Sequence, residues 1–209
     1  MHELLTQLVE AVQLTGNVRS DMNAFLVYHG CPKTADHSVR VAAEARRLAA
    51  RFGADPSLAQ VAGWLHDVSA VFPVAQRTKI ARQLRLDVLP EEEIAPMILH
   101  QKLSAVMARE IFGIGDAAVL SAIGCHTTLK ASASTLDKVV FVADKIAWDQ
   151  PGKPPYLDGI LGALDQSLHQ AALRYLDYLW QRRQTLPAVH PWFVAAHRQV
   201  TTPAGSSSK

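Results

Sequence analysis

Apolar residues recur along almost the whole chain at the three- and four-residue spacing of one helix face, and no stretch alternates as a half-buried strand does. Leu4, Leu8 and Val12 predict a first helix, and Met22, Phe25, Leu26 and His29 a second, closed by Gly30. A third carries Val41, Ala45, Leu48 and Phe52 on one face and stops at Gly53. Asp55-Pro56, an N-cap followed by proline in the first turn, opens a fourth that is expected to run through His66 and Asp67. A polar helix is expected from Arg77 to Leu86, with the acidic run Glu91-Glu92-Glu93 as a solvated helix start. Further helices are expected from Pro96 to Phe112, from Asp116 to His126, and from the capping box Ser134-Thr135-Leu136-Asp137 through Asp144. After a loop from Trp148 to Pro155, one long amphipathic helix is expected to carry Leu161, Leu164, Leu168, Ala171, Tyr175 and Leu179. The fold class is therefore all-α, a single domain over residues 1–200 with a disordered tail at 201–209.

Six polar residues break this apolar pattern. His66-Asp67 sits in Ala62-Gly63-Trp64-Leu65-His66-Asp67-Val68, where an unpaired charge is costly to bury. His37, His100, His126 and Asp144 stand in similarly apolar settings, His37 four residues before Val41 and Asp144 four after Val140. A lone histidine on such a face is more often a hydrogen-bonded core residue than a ligand. Six together, drawn from separate helical segments with His66 and Asp67 sharing one, point to one site assembled by a bundle. Imidazole with carboxylate suits iron, manganese or zinc, and the absence of thiolates argues against a purely structural zinc. Six ligands exceed one tetrahedral ion, whereas two ions bridged by Asp67 use them all and leave room for water and substrate.

Composition narrows the partners. With 49% hydrophobic and 19% charged residues among 209, the chain can bury a sizeable core. Its net charge of +2 gives no electrostatic case for nucleic acid or a membrane surface. No apolar run reaches the roughly 18 residues of a membrane span, and the start lacks the pattern of a secretory signal, so a cytoplasmic location is expected. Cys31 and Cys125 are too few for a disulfide framework and are read as reduced thiols. No glycine-rich phosphate loop is present.

The order His37, His66-Asp67, Asp144 resembles the HD-domain phosphohydrolase superfamily, and His100 and His126 match the additional ligands of its two-metal members. The resemblance spans roughly residues 20–160 and extends to His37-Ser38-Val39-Arg40-Val41-Ala42, His126-Thr127-Thr128 and Leu136-Asp137-Lys138-Val139-Val140-Phe141-Val142-Ala143-Asp144. Within the superfamily the chain looks most like the YqeK-like group. That likeness implies an HD-domain helical bundle, a di-iron centre, and hydrolysis of diadenosine tetraphosphate to two ADP. The chain departs from the group at three places: Val68-Ser69-Ala70-Val71 replaces a segment with lysine, Gln101 replaces a glycine, and Lys145-Ile146-Ala147-Trp148-Asp149-Gln150-Pro151-Gly152 replaces a Glu-Pro-Gly-Arg type of segment.

The roles that follow are specific. His37, His66, Asp67 and Asp144 are expected to hold one divalent ion, iron foremost with manganese or zinc as alternatives. Asp67, His100 and His126 hold the second, and His66 and Asp67 are the catalytic pair around a bridging hydroxide nucleophile. Arg40, Lys102, Lys130 and Lys145 each lie close to a proposed ligand and are candidate phosphate contacts. Thr127 adds a neutral hydrogen bond, and Trp148 is a candidate platform for a base. The expected partner is a small nucleotide, with no nucleic acid or membrane, and a homodimer is allowed. The alternatives are another nucleotide phosphohydrolase, a di-iron oxygenase of HD type acting on small polyols, distinguished by oxygen consumption, and a non-enzymatic nucleotide-binding module, which loss of metal ligands would have signalled.

Overall fold

Strong capping residues begin most of the major helices. In the computed structural model, which describes residues 1–148 and 151–201, Asp55 accepts from the Ser57 and Leu58 amides at 2.7 and 3.0 Å and starts α4 (Pro56–Leu65). Asp116 does the same for α8 (Ala117–Cys125), and Ser134 and Asp137 close a reciprocal capping box on α9 (Thr135–Ile146). Each cap satisfies amides that the first helical turn leaves unpaired. Gly53, at φ 76°, ends α3 (Pro32–Phe52) in the left-handed conformation that favours glycine.

The other helices are α1 (Glu3–Val9), α2 (Val18–Tyr28), α5 (Arg77–Gln83), α6 (Pro90–Ile94), α7 (His100–Glu110), α10 (Leu157–Leu164), α11 (Leu168–Gln181) and α12 (Pro191–Thr201). No strand occurs among the described residues, and no helix there is long and apolar enough to cross a membrane. The fold is all-α. At its centre α3 lies against α4 and α9, while α8 packs on α4, α7 and α9; α11 covers α9 and is flanked by α10 and α12. Leu48, Leu65, Leu103, Ile123 and Phe141 are fully buried between these helices, and burial of each such side chain contributes about 1.5–3 kcal/mol. Ala42, Ala45 and Ala49 of α3 meet Ala59, Ala62 and Gly63 of α4, all buried, so the two backbones come close. A Cβ on Gly63 would lie 2.5 Å from the Cα of Ala42.

Several boundaries differ from expectation. The fourth helix ends at Leu65, and Asp67, at φ −114° and ψ 17°, has left helical geometry. The helix expected from Pro96 begins as a 3-10 turn, Pro96–Leu99, before α7. The single long C-terminal helix is two, because Ser167 accepts from the Gln170 amide and starts α11 afresh. Glu92 is not solvated: it is fully buried, reaches back to the Leu89 amide, and pairs with Lys102 at 2.8 Å and His190 at 3.3 Å. Thr201, the first residue assigned to the tail, belongs to the last turn of α12. Residues 202–209 of the expected tail, and Asp149 and Gln150 of the expected loop, lie outside the described residues.

Candidate metal centre

Five helices bring the six sequence-predicted side chains together. His37 comes from the second turn of α3 and Asp144 from the last turn of α9; His66 caps α4 with Asp67 beyond it, His100 opens α7, and His126 caps α8. Three histidines are held by the same local device. The Nδ1–H of His66 donates to the Gly63 carbonyl at 2.8 Å, that of His126 to Ile123 at 2.8 Å, and that of His100 to Met97, each three residues earlier. Helix C-termini leave carbonyls without intrahelical partners, so a histidine there finds an acceptor at hand. His37 uses a distant carbonyl, Ala147 at the end of α9, 3.1 Å away. A carbonyl only accepts, which assigns the proton to Nδ1 in all four rings and turns every Nε2 toward the centre.

Around that centre, the Nε2 of His37 lies 3.1 Å from Asp144 Oδ1, and the Nε2 of His66 lies 3.5 Å from both Asp144 Oδ1 and Asp67 Oδ2. The other oxygen of Asp67, Oδ1, stands 3.3 Å from His100 and 3.5 Å from His126. One carboxylate thus serves both halves of the cluster. His66 and His126 are almost wholly buried and His37 nearly so, whereas the Asp67 side chain keeps 25% exposure and opens the cluster to solvent.

The electrostatics are those of a site short of positive charge. Burial would raise the pKa of Asp67, but His66, His100 and His126 hold it far below the ordinary carboxylate range. Burial is likewise outweighed at Asp144 by Lys145, His37 and His66. Burial opposes protonation of His66, yet Asp67 and Asp144 push its pKa up to about 9. His100 falls to about 4, driven by burial that Asp67 only partly offsets, and burial lowers His126 as well.

Three observations show that the donors fit a bound cation. The buried Nε2 of His66 has no hydrogen-bond partner. The Nε2 atoms of His100 and His126 face each other at 2.9 Å although both Nδ1 protons are already committed to carbonyls, so two lone pairs converge with no proton between them. Three overlapping sets, His37-His66-Asp67, His66-His126-Asp144 and Asp67-His100-His126, each gather ligand atoms within 4.8 Å of one another, which is a geometry that can hold metal. Neither Cys31 nor Cys125 belongs to any set.

A supporting layer went unread in the sequence. Buried Arg77 donates to the Phe72 and Met97 carbonyls at 3.2 and 3.1 Å, the latter being the acceptor that orients His100. Ser69 donates to the His100 carbonyl at 2.9 Å and is bonded in turn to Ser104. Gln101, fully buried, accepts from the Thr127 and Thr128 amides at 3.1 and 3.3 Å, fixing the turn that follows His126. Such outer contacts orient ligands and are typical of built metal sites.

The candidate phosphate contacts divide. Lys145 is at the cluster, bonded to Asp144 and to the His126 carbonyl, and Thr127 places its hydroxyl 2.9 Å from His100 Nε2. Lys102 does not serve the cluster: it is committed to buried Glu92 and the Asp87 carbonyl, since two residues along a helix turn it about 200° from His100. Lys130 is drawn instead to Ser121, at 2.6 Å, and the capping residue Asp137. Arg40 is exposed and opens on a polar surface groove with Arg19, Asn23 and Asp36, lined by none of the six cluster residues. Trp148, 38% exposed, sets its ring edge-on to Tyr156.

A helical bundle that carries histidines and aspartates at its helix ends, with one aspartate shared between two halves of the cluster, defines an HD-type metal-site protein. The chain belongs to the HD domain family, whose model matches residues 34–149. It is 32% identical over 163 residues to a symmetrical bis(5'-nucleosyl)-tetraphosphatase of Staphylococcus aureus, covering 74% of this chain and 81% of that protein. A protein of the same description from Bacillus subtilis is 31% identical over 140 residues, covering 66% and 73%. The fold also matches a crystal structure from Clostridium acetobutylicum, described as a predicted HD superfamily hydrolase involved in NAD metabolism, with a TM-score of 0.79 and 25% identity over 87% of this chain and 95% of that one.

Proposed function

We propose that this chain is a metal-dependent nucleotide phosphohydrolase that cleaves diadenosine tetraphosphate symmetrically to two ADP. The observation that carries the reading is the division of Asp67 between His66 on one side and His100 with His126 on the other. His37, His66, Asp67 and Asp144 would hold one divalent ion, and Asp67, His100 and His126 a second, with iron the first choice and manganese or zinc the alternatives. Two such ions supply activation of water and neutralisation of phosphoryl charge when bound.

The chain's own groups do the rest. The carbonyl anchors on all four Nδ1 atoms keep the imidazoles preorganised, so no ring must turn as substrate arrives. Lys145, buried and held charged by Asp144 and Asp67 against the opposing pull of burial, adds a fixed cation beside the reacting phosphates. Thr127 keeps its hydroxyl 2.9 Å from His100 Nε2, beside the ligand-bearing edge of the ring, where it can hydrogen-bond a phosphate oxygen. The names of the Staphylococcus and Bacillus relatives support the substrate.

Diadenosine tetraphosphate incubated with the manganese- or ferrous-loaded protein, followed by chromatography, tests this directly. ADP should be the sole early nucleotide product. ATP and AMP in equal amounts would refute symmetrical cleavage, and no hydrolysis of any dinucleoside polyphosphate would refute the substrate class.

A further inference from the structure

His100 and His126 stand at the ends of different helices, and each owes its orientation to its own segment: the carbonyls that fix their Nδ1 protons belong to Met97 and Ile123, three residues earlier in each case. Those anchors aim the rings but do not set the distance between them. The two Nε2 atoms meet at 2.9 Å with lone pairs opposed, an arrangement that pushes the rings apart until a cation is bound. The register of α7 against the end of α8 has to be held by something else.

Gln101 holds it. It directly follows His100, is fully buried, and reaches across to the two residues that directly follow His126. Its Oε1 accepts from the amides of Thr127 and Thr128 at 3.1 and 3.3 Å. Its Nε2 donates to the Thr128 hydroxyl at 3.1 Å, and that hydroxyl donates onward to the Leu129 carbonyl at 2.8 Å. Two amides converging on one atom identify it as the oxygen, so the carboxamide has a single orientation. The turn it grips is closed at its far end too. Leu129 is fully buried at φ 56°, a conformation uncommon outside glycine, and its amide donates to the Cys125 carbonyl at 2.8 Å.

The other half of the cluster takes no part in this bridge. His37 and His66 are anchored on the Ala147 and Gly63 carbonyls, and Asp144 is bonded to Lys145. Resting on the two-ion reading above, we propose that Gln101 is a positioning residue for one ion only: by stapling α7 to the turn after α8, it holds His100 and His126 at the spacing that receives the ion they share with Asp67. The ion at His37, His66 and Asp144 does not depend on it. Bringing two unprotonated imidazole edges together is then accomplished in folding, and loss of such an outer contact weakens metal binding by about 10–100-fold.

Manganese titration of the metal-free full chain by calorimetry tests this, with electron paramagnetic resonance to tell a coupled ion pair from an isolated ion. The variants are Gln101→Leu, which keeps the bulk and removes every bond, Gln101→Glu, which keeps the accepting oxygen, and Lys102→Met, which disturbs the next residue of α7 and none of these bonds. The parent, Gln101→Glu and Lys102→Met should each bind two ions. In Gln101→Leu one binding step should weaken by about 10–100-fold while the other stays within about threefold of the parent, and the ion retained should give the spectrum of the one retained in His126→Ala. Thermal midpoints verify folding; if the leucine variant does not fold, Gln101→Asn, whose amide stops one methylene short, should show the same split at about tenfold. Both steps unchanged, or both weakened alike, in a folded variant that removes the bridge overturns the proposal. So does a Gln101→Glu step as weak as that of Gln101→Leu, or loss of the same step in Lys102→Met, which makes the effect one of stability alone. A parent that binds a single ion removes the two-ion reading and the staple together, whereas the expected split in a chain that cleaves no dinucleoside polyphosphate supports the staple and removes the activity alone.

Discussion

Replacing Gly63 by alanine tests whether the close approach of two helices sets the metal site. The added Cβ would lie 2.5 Å from Ala42 Cα and 2.8 Å from its nitrogen, where ordinary contact begins at 3.4 Å. The obstruction is backbone, so no side chain can swing aside, and α3 and α4 must part by roughly 0.9 Å, the gap between 2.5 and 3.4 Å. Overpacking of this kind costs about 1–3 kcal/mol, while alanine gains about 1 kcal/mol of helix propensity over glycine. Taking the upper part of that range, the net loss is about 1–2 kcal/mol, or roughly 2–8 °C in thermal midpoint for a chain of this size. The same displacement separates His37 on α3 from His66 at the end of α4, and a metal site tolerates only about 0.2 Å in its ligand distances. Thermal unfolding followed by circular dichroism, with elemental analysis of bound metal, should show a lower midpoint and fewer ions per chain. Gly162→Ala in α10 is the control: nothing lies within 4 Å of its would-be Cβ, so it should be neutral or stabilising by up to about 1 kcal/mol. A Gly63→Ala variant that melts at or above the parent and keeps its full metal content would refute the reasoning.

Asp67→Ala should abolish turnover and lower metal occupancy in both halves of the cluster, whereas His126→Ala should empty one half first; elemental analysis beside a product assay distinguishes them, and full metal with near-native activity in the Asp67 variant would contradict the shared role. Lys102→Met strips buried Glu92 of its ammonium partner and should destabilise by about 2–4 kcal/mol, near the low side of the ~3–5 expected for a broken buried pair because the His190 and Leu89 contacts remain; urea unfolding measures it. Asp21 is buried, which would raise its pKa, but the amides of Thr15 and Gly16 and the Thr15 hydroxyl bring it below its ordinary 3.8. Its contribution is therefore complete above pH 4 and is lost as pH falls through the lowered value, so the stability gap between the parent and Asp21→Asn should be wide at pH 7 and narrow toward pH 3.

Much of this molecule is legible residue by residue. Caps at Asp55, Asp116 and Ser134 act within three residues, so helix starts are local events that a linear reading recovers. The six histidines and aspartates stood out for a similar reason: each interrupts an apolar face, and buried polar groups need partners wherever the helix ends up. Helix ends were less legible. Ser167 restarts a helix across an unbroken apolar period, and Asp67 leaves α4 where the periodicity simply continues. Tertiary structure alone decided which cation belongs to which acid. Lys102, two residues from His100, is turned away by the helical twist and captured by buried Glu92, which also meets His190, 98 residues distant. The meeting of Gly63 with Ala42, the carbonyl of Ala147 that aims His37, and the bridge from Gln101 to Thr127 likewise exist only once separate helices have packed. Residue chemistry and helical period are properties of short segments. The distances that turn six ligands into a site are properties of the bundle.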